Sequence, residues 1–302
     1  MKAKHMPIVL CACLIPLLFA SGCARPGAES AQPDSGVNQI TSAIATPIPG
    51  TEFTDEFLEL DPDDALDSID VLSSYTSLEA VNFYGATVPA DSRLAGQSNL
   101  DGLRALYYYG LVSPDGERLD AFDFLADVLP LPRLESLLIY SSAPGAVLPK
   151  IETLKVIEIS APNAPEIVSA NTQASTLYLS GQNIVDDLDV LSAFTELEEL
   201  VLPMNVKNIE GLKFCAKLKY LVLDTPLKAS EIEAYLTPLY ELQNLEHVTL
   251  GFLMRDDGSL ILGPDFDEYI EIITNLPSSV LEHFRVDPND NRELPLLLIP
   301  SE

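Results

Sequence analysis

Residues 177–202 read LYLSGQNIVDDLDVLSAFTELEELVL. Leu197, Leu200 and Leu202 repeat, 23 residues on, the spacing apolar-x-x-apolar-x-apolar that Ala174, Leu177 and Leu179 set. The period of two inside each unit is that of a short strand with one apolar face. The same unit starts at Leu78, Leu103, Leu134, Leu154, Leu218, Leu245 and Leu281. Successive starts lie 25, 31, 20, 20, 23, 21, 27 and 36 residues apart. One such unit cannot bury its apolar face alone, but stacked copies form a continuous core.

The repeat is also visible as internal similarity. Residues 69–81, IDVLSSYTSLEAV, align without gaps on residues 188–200, LDVLSAFTELEEL, with seven of 13 positions identical. These residues resemble leucine-rich repeat proteins, most closely the bacterial surface type related to internalins, over residues 53–302. The resemblance implies an α/β fold: a solenoid with a concave parallel β-sheet and irregular repeats of about 20–36 residues. The family places Asn or Cys at the ninth repeat position. Here Asn205 and Asn289 fall there and Asn183 one place late, while Leu111, Pro162, Pro226 and Leu253 stand there elsewhere. Longer loops are expected after the second and eighth units. Leu58 and Leu60, 20 and 21 residues before Leu78 and Val81, predict a capping strand at the start. The run 294–299, LPLLLI, is expected to cover the last repeat.

Residues 1–22 read as a leader. Lys2, Lys4 and His5 precede an apolar run over 8–20, too short for a transmembrane helix, and small residues follow. Ala20-Ser21-Gly22-Cys23 resembles the lipobox of bacterial lipoproteins, with Ala where Leu is more usual. That resemblance implies acylation of Cys23, cleavage before it and a partner in the membrane through the N-terminal lipid. The chain is thereby expected outside the cytoplasm, at the cell surface. Residues 23–52 hold no Leu and no aromatic, and Pro26, Pro33, Pro47 and Pro49 punctuate them. Such a stretch cannot offset its ordering entropy and reads as a disordered tether. Loss of the leader leaves Cys215 as the one thiol besides Cys23, in an apolar context that predicts a buried structural role.

Composition narrows the partner. With 17 basic and 46 acidic residues the formal charge is −29, which excludes a generic nucleic-acid binder. No phosphate loop, HExxH, GxSxG or paired CxxC is present, so neither a cofactor nor an enzymatic activity is expected. Carboxylates cluster at 61–64, 186–189, 255–258 and 287–291, where turn chemistry and a solvated acidic surface suffice.

The residues alternating with the apolar ones point out of the sheet. They include Tyr84, Tyr107, Tyr109, Tyr140, Tyr178 and Tyr220, with Leu138, Val156, Val201 and Val222 among them. Tyr offers rigid contact area and a hydroxyl at low entropic cost, which suits recognition of a protein or a glycan. High β propensity alone also places Tyr on strands. His247 and His283 fall at equivalent repeat positions, each in Leu-Glu-His, and read as exposed residues. The expectation is a lipid-anchored binding protein. A structural envelope scaffold is the alternative, and a glycoside hydrolase with two carboxylates is the third reading.

Overall fold

The computed structural model describes residues 57–75, 77–94, 98–140, 146–181, 185–202, 206–223, 225–250, 253–255, 257, 259, 278–286 and 296–300. The leader, Cys23 and the tether lie outside them, as do Asn183, Asn205 and residues 287–291.

The strands are β1 (Phe57–Leu60), β2 (Ala80–Thr87), β3 (Ala105–Val112), β4 (Ser136–Tyr140), β5 (Val156–Ser160), β6 (Thr176–Ser180), β7 (Glu199–Leu202), β8 (Tyr220–Leu223), β9 (Leu227–Lys228), β10 (His247–Leu250), β11 (Leu253–Met254), β12 (Phe284–Val286) and β13 (Leu296–Pro300). Helices are short: α1 (Ala121–Leu125), α2 (Ala164–Ile167), α3 (Ile232–Leu236) and α4 (Ser278–His283). The main sheet runs β1 to β8, then β10, β13 and β12, while β9 and β11 pair separately. Strands β1 to β8 and β10 are parallel throughout. This is the leucine-rich repeat solenoid, with one strand contributed by each repeat.

The apolar unit makes the core. Val81, Leu106, Leu137, Ile157, Leu177, Leu200, Leu221 and Val248 pair in register from strand to strand. All are buried. Each such side chain contributes roughly 1.5–3 kcal/mol by leaving water. The first residue of each unit from Leu78 to Leu245 is buried as well, where the chain bends into its strand. Just before that strand, one carbonyl accepts two amides of the next repeat. Glu135 O takes Lys155 N at 2.9 Å and Val156 N at 3.0 Å, and Glu198 O takes Lys219 N and Tyr220 N.

The aligned pair of repeats folds alike. Ile69–Ser74 and Asp189–Ala193 are both 3-10 helices, as is Glu210–Phe214 in the following repeat. Tyr75, Phe194 and Cys215 cap them equivalently, with amides donating to Leu72, Leu191 and Leu212. Cys215 is therefore a core residue, as its context predicts. It is fully buried, its Sγ lies 3.4 Å from the Leu191 carbonyl, and burial pushes the thiol up to about 12. Gly211 is dictated by close approach: a Cβ there would collide with the Leu188 carbonyl.

Three expectations are corrected. Leu58 and Leu60 do form a first strand, but they pair with Val81 and Phe83. A two-residue spacing matches Val81 to Phe83, not the three-residue step from Leu78 to Val81. At the other end, β12 does not stack on β10. The closing run enters between them as β13, antiparallel to both. Finally, His283 ends α4 instead of occupying a strand position, and it stacks on Tyr240 at 4.0 Å. The expected long loop after the second unit is present: β3 runs on to Val112, which bridges back to Arg118 before α1.

Truncating Leu177 to Ala should cost roughly 3 kcal/mol in urea unfolding. Gly211→Ala should cost about 1–3 kcal/mol by overpacking, although it removes no contact.

Candidate functional site

The residues between the core rungs form the open face of the sheet. Its burial is uneven. Asn82, Tyr107 and Leu138 are 1%, 7% and 2% exposed, whereas Glu158, Tyr178, Val201, Val222 and Thr249 are half-buried. The expectation of Tyr107 as a surface residue is thus corrected. In-register strands about 4.8 Å apart set its ring between Asn82 and Leu138, with Ala105 and Tyr109 flanking it on its own strand. Tyr84 and Tyr220 are exposed at 50% and 38%, and Tyr109, Tyr140 and Tyr178 are half-buried.

Tyr84, Tyr109 and Tyr140, in the C-terminal halves of β2, β3 and β4, form an aromatic ladder. Tyr84 meets Tyr109 edge-on at 5.4 Å, and Tyr109 stacks on Tyr140 at 5.2 Å. A bulge makes this possible. Phe83 pairs with Tyr108 but Tyr84 pairs with Gly110, so Tyr109 is the extra residue. Gly110 takes φ of 136°, a conformation that a side chain would strain. Two of the ladder's rings, Tyr109 and Tyr140, also line a cleft of about 230 Å³ with Arg118, Asp120 and Ser160. Asp120 is its one carboxylate and also caps α1, accepting from Phe122 N at 2.9 Å. The pair of acids that glycoside hydrolysis requires is not among its lining residues.

From Tyr140 onward the face carries Tyr–Glu pairs. Tyr140 donates its hydroxyl to Glu158 at 3.4 Å, Tyr178 to Glu199 at 2.9 Å and Tyr220 to Glu246 at 2.7 Å. Each pair joins one strand to the next in the sheet. Register links the pairs in turn, because Glu158 lies beside Tyr178 and Glu199 beside Tyr220. The result is one diagonal stripe, Tyr140-Glu158-Tyr178-Glu199-Tyr220-Glu246, across β4 to β8 and ending just before β10. His247 stacks on Tyr220 at 5.4 Å and closes its end.

Electrostatics follow from the pairing. Burial, opposed by the Tyr140 hydrogen bond, pushes the Glu158 carboxyl up to about 7. Burial and the Glu199 charge raise Tyr178, while the Glu246 hydrogen bond is the main cause that raises Tyr220.

A second charge system borders the face. The residue before each of β2 to β8 and β10 reads Glu79, Arg104, Glu135, Lys155, Ser175, Glu198, Lys219 and Glu246. Arg104 bridges Glu79 at 3.9 Å and Glu135 at 3.2 Å, Lys155 meets Glu135 at 3.4 Å, and Lys219 meets Glu198 at 2.6 Å. Burial works against the Glu135 carboxylate, but Arg104 and Lys155 outweigh it and hold its pKa low. Such exposed pairs add little stability each. Their alternation does keep like charges from neighbouring one another across strands.

The acidic clusters at 61–64 and 186–189 serve turns. Asp61 Oδ1 accepts from Asp63 N at 2.8 Å, and Asp187 Oδ1 from Asp189 N at 3.1 Å. Among the described residues no group of three His, Cys, Asp or Glu is placed to hold a metal ion. Nor does any described helix have the length and apolarity to cross a membrane.

No protein-family model matches the sequence, and neither does any curated protein. Among solved structures, an internalin from Listeria monocytogenes is similar at 13% identity and a TM-score of 0.25, over 67% of this chain and 82% of that one. A superposition this loose carries no argument, and the fold rests on the sheet itself.

Glu158 should govern a pH response. A folded-state pKa near 7, above the ordinary 4.5, means that the folded protein holds a proton the unfolded chain has lost between those values. Stability therefore falls as pH rises from about 4.5 to 7. Glu158→Gln should abolish that part of the loss, leaving the variant more stable than the parent by roughly 3 kcal/mol at pH 8 in urea unfolding.

Proposed function

We propose that this chain is a lipid-anchored, extracytoplasmic binding protein that docks a protein partner on the open face of its repeat sheet. The observation that carries the reading is the exposed and half-buried tyrosine set. Tyr84, Tyr109, Tyr140, Tyr178 and Tyr220 lie on one rigid surface, held there by paired strands rather than by loops. Fixed aromatic area of this kind loses little entropy on binding and recurs at protein interfaces. Tyr107, buried between Asn82 and Leu138, stands outside this set. Cys23 would carry the lipid, and residues 23–52 would span roughly 30 Å as a flexible tether between bilayer and sheet. Several acyl chains on Cys23 would hold the protein firmly, whereas one chain would not.

Photo-crosslinking in cells tests the docking. A crosslinker at Tyr84 or Tyr220 should capture one common partner, and the same group at Phe214, exposed on a 3-10 helix, should not. Capture from Phe214 alone would contradict the open-face reading, and capture from none of the three would favour a scaffold without a ligand site. Cys23→Ala should move the protein out of the membrane fraction. Retention in that fraction would contradict the lipid anchor.

A further inference from the structure

The two charge systems of the sheet differ in one respect. The edge acids Glu79, Glu135 and Glu198 are each met by Arg104, Lys155 or Lys219. The stripe acids Glu158, Glu199 and Glu246 are met by tyrosine hydroxyls instead. Among the described residues, no Lys or Arg lies within ion-pair distance of any of those three. The chain thus closes the border line with ion pairs, whereas the diagonal stripe, which meets that line at Glu246 beside Lys219, has no cation in ion-pair contact.

We infer that the Tyr140-to-Glu246 stripe is a docking track for an extended, cationic peptide segment of the protein partner. This rests on the open-face reading above and specifies the chemistry of what binds there. Three features fit a basic chain. Carboxyl groups out of ion-pair contact with any cation attract guanidinium or ammonium groups, and the phenol rings between them offer π faces and apolar flanks to the long stems of Arg and Lys. The hydroxyl bonds hold each carboxylate in place before a ligand arrives, which limits the entropy lost on binding. The overall charge of −29 draws a basic segment toward the surface.

Geometry sets the ligand's period. Glu158 and Glu199 are two strand spacings apart with a shift of two residues along the strand, or about 12 Å. Glu199 and Glu246 are two spacings apart with a shift of one residue, or about 10 Å. An extended peptide rises about 3.3 Å per residue. A basic residue at every fourth position, about 13 Å on and on the same face of the peptide, therefore comes nearest to successive carboxylates, and the full stripe of about 30 Å takes a segment of roughly nine residues. Consecutive basic residues would waste charge on alternate faces.

Fluorescence anisotropy with the purified protein tests this. The probe is a labelled peptide of about twelve residues with Arg at every fourth position and Ser or Pro between. The parent should bind it, more weakly as salt rises. Glu199→Gln with Glu246→Gln should weaken binding about tenfold, with thermal unfolding unchanged. Asp70→Asn with Asp189→Asn, exposed acids on the 3-10 helices, should change it by less than about twofold. Several outcomes would overturn the inference. These are no binding, equal binding of a peptide with Gln for Arg, equal loss from the Asp70 and Asp189 changes, or displacement by a neutral oligosaccharide indifferent to Glu199 and Glu246. If crosslinking at Tyr84 and Tyr220 still captured a partner in any of those cases, the cationic assignment alone would fall. If crosslinking failed as well, the open-face reading would fall with it.

Discussion

The open face depends on one constraint: parallel strands stacked in register about 4.8 Å apart. The apolar rungs impose it. Leu106, Leu137, Ile157, Leu177, Leu200 and Leu221 stay buried only if each strand meets the next without a slip, because a shift of one residue turns every rung outward. The carbonyls of Glu79, Arg104, Glu135, Lys155, Ser175, Glu198 and Lys219, each accepting two amides of the following repeat, fix the same register from the main chain. Once that register is set, the placement of everything on the other face is a consequence.

Much of the fold was legible because it follows from spacing. The six-residue unit gave the strands β2 to β8 and β10, and the 13-residue internal match marked two equivalent repeats without indicating the 3-10 helices that precede β2 and β7. Cys215 was legible as a core thiol from its apolar context, although not as the equivalent of Phe194. The ends were less legible. The pattern Leu281, Phe284, Val286 has the right spacing, yet Leu281 sits in α4 and β13 intervenes between β12 and β10. Spacing describes one chain segment, whereas sheet order is decided by competition among segments for the same edge.

The site was legible only in part. Alternation correctly put Tyr84, Tyr109, Tyr140, Tyr178 and Tyr220 on the open face, but it carries no information on depth, and Tyr107 is buried. The Tyr–Glu pairs were missed because they run diagonally. Tyr178 lies directly opposite Val201, and its hydroxyl reaches Glu199 two residues away. Diagonal neighbours on one face become visible only when the strands are set in register and read across. The bulge at Tyr109 had a sequence signal in Gly110, which follows three consecutive tyrosines, but that signal acquires meaning only beside Tyr84 and Tyr140.

Two lines of acids on one sheet thus have different fates. At the edge, alternating signs neutralise each other and help to hold the register. On the diagonal, tyrosines bond the carboxylates without neutralising them, and Glu158 bears the cost as a raised pKa.

The most direct measurement is a titration of the tyrosine hydroxyls by NMR, with carbon-13 at Cζ, in the parent and in Glu246→Gln. Tyr220 is exposed, and the Glu246 hydrogen bond leads burial among the causes that raise it, so its titration reports the pairing that the register creates. The account predicts that Tyr220 titrates above the ordinary value near 10 in the parent and returns toward it in the variant, while Tyr178 stays high. A Tyr220 that titrates at the ordinary value in both proteins would contradict the pairing, and with it the register and the stripe that rest on it.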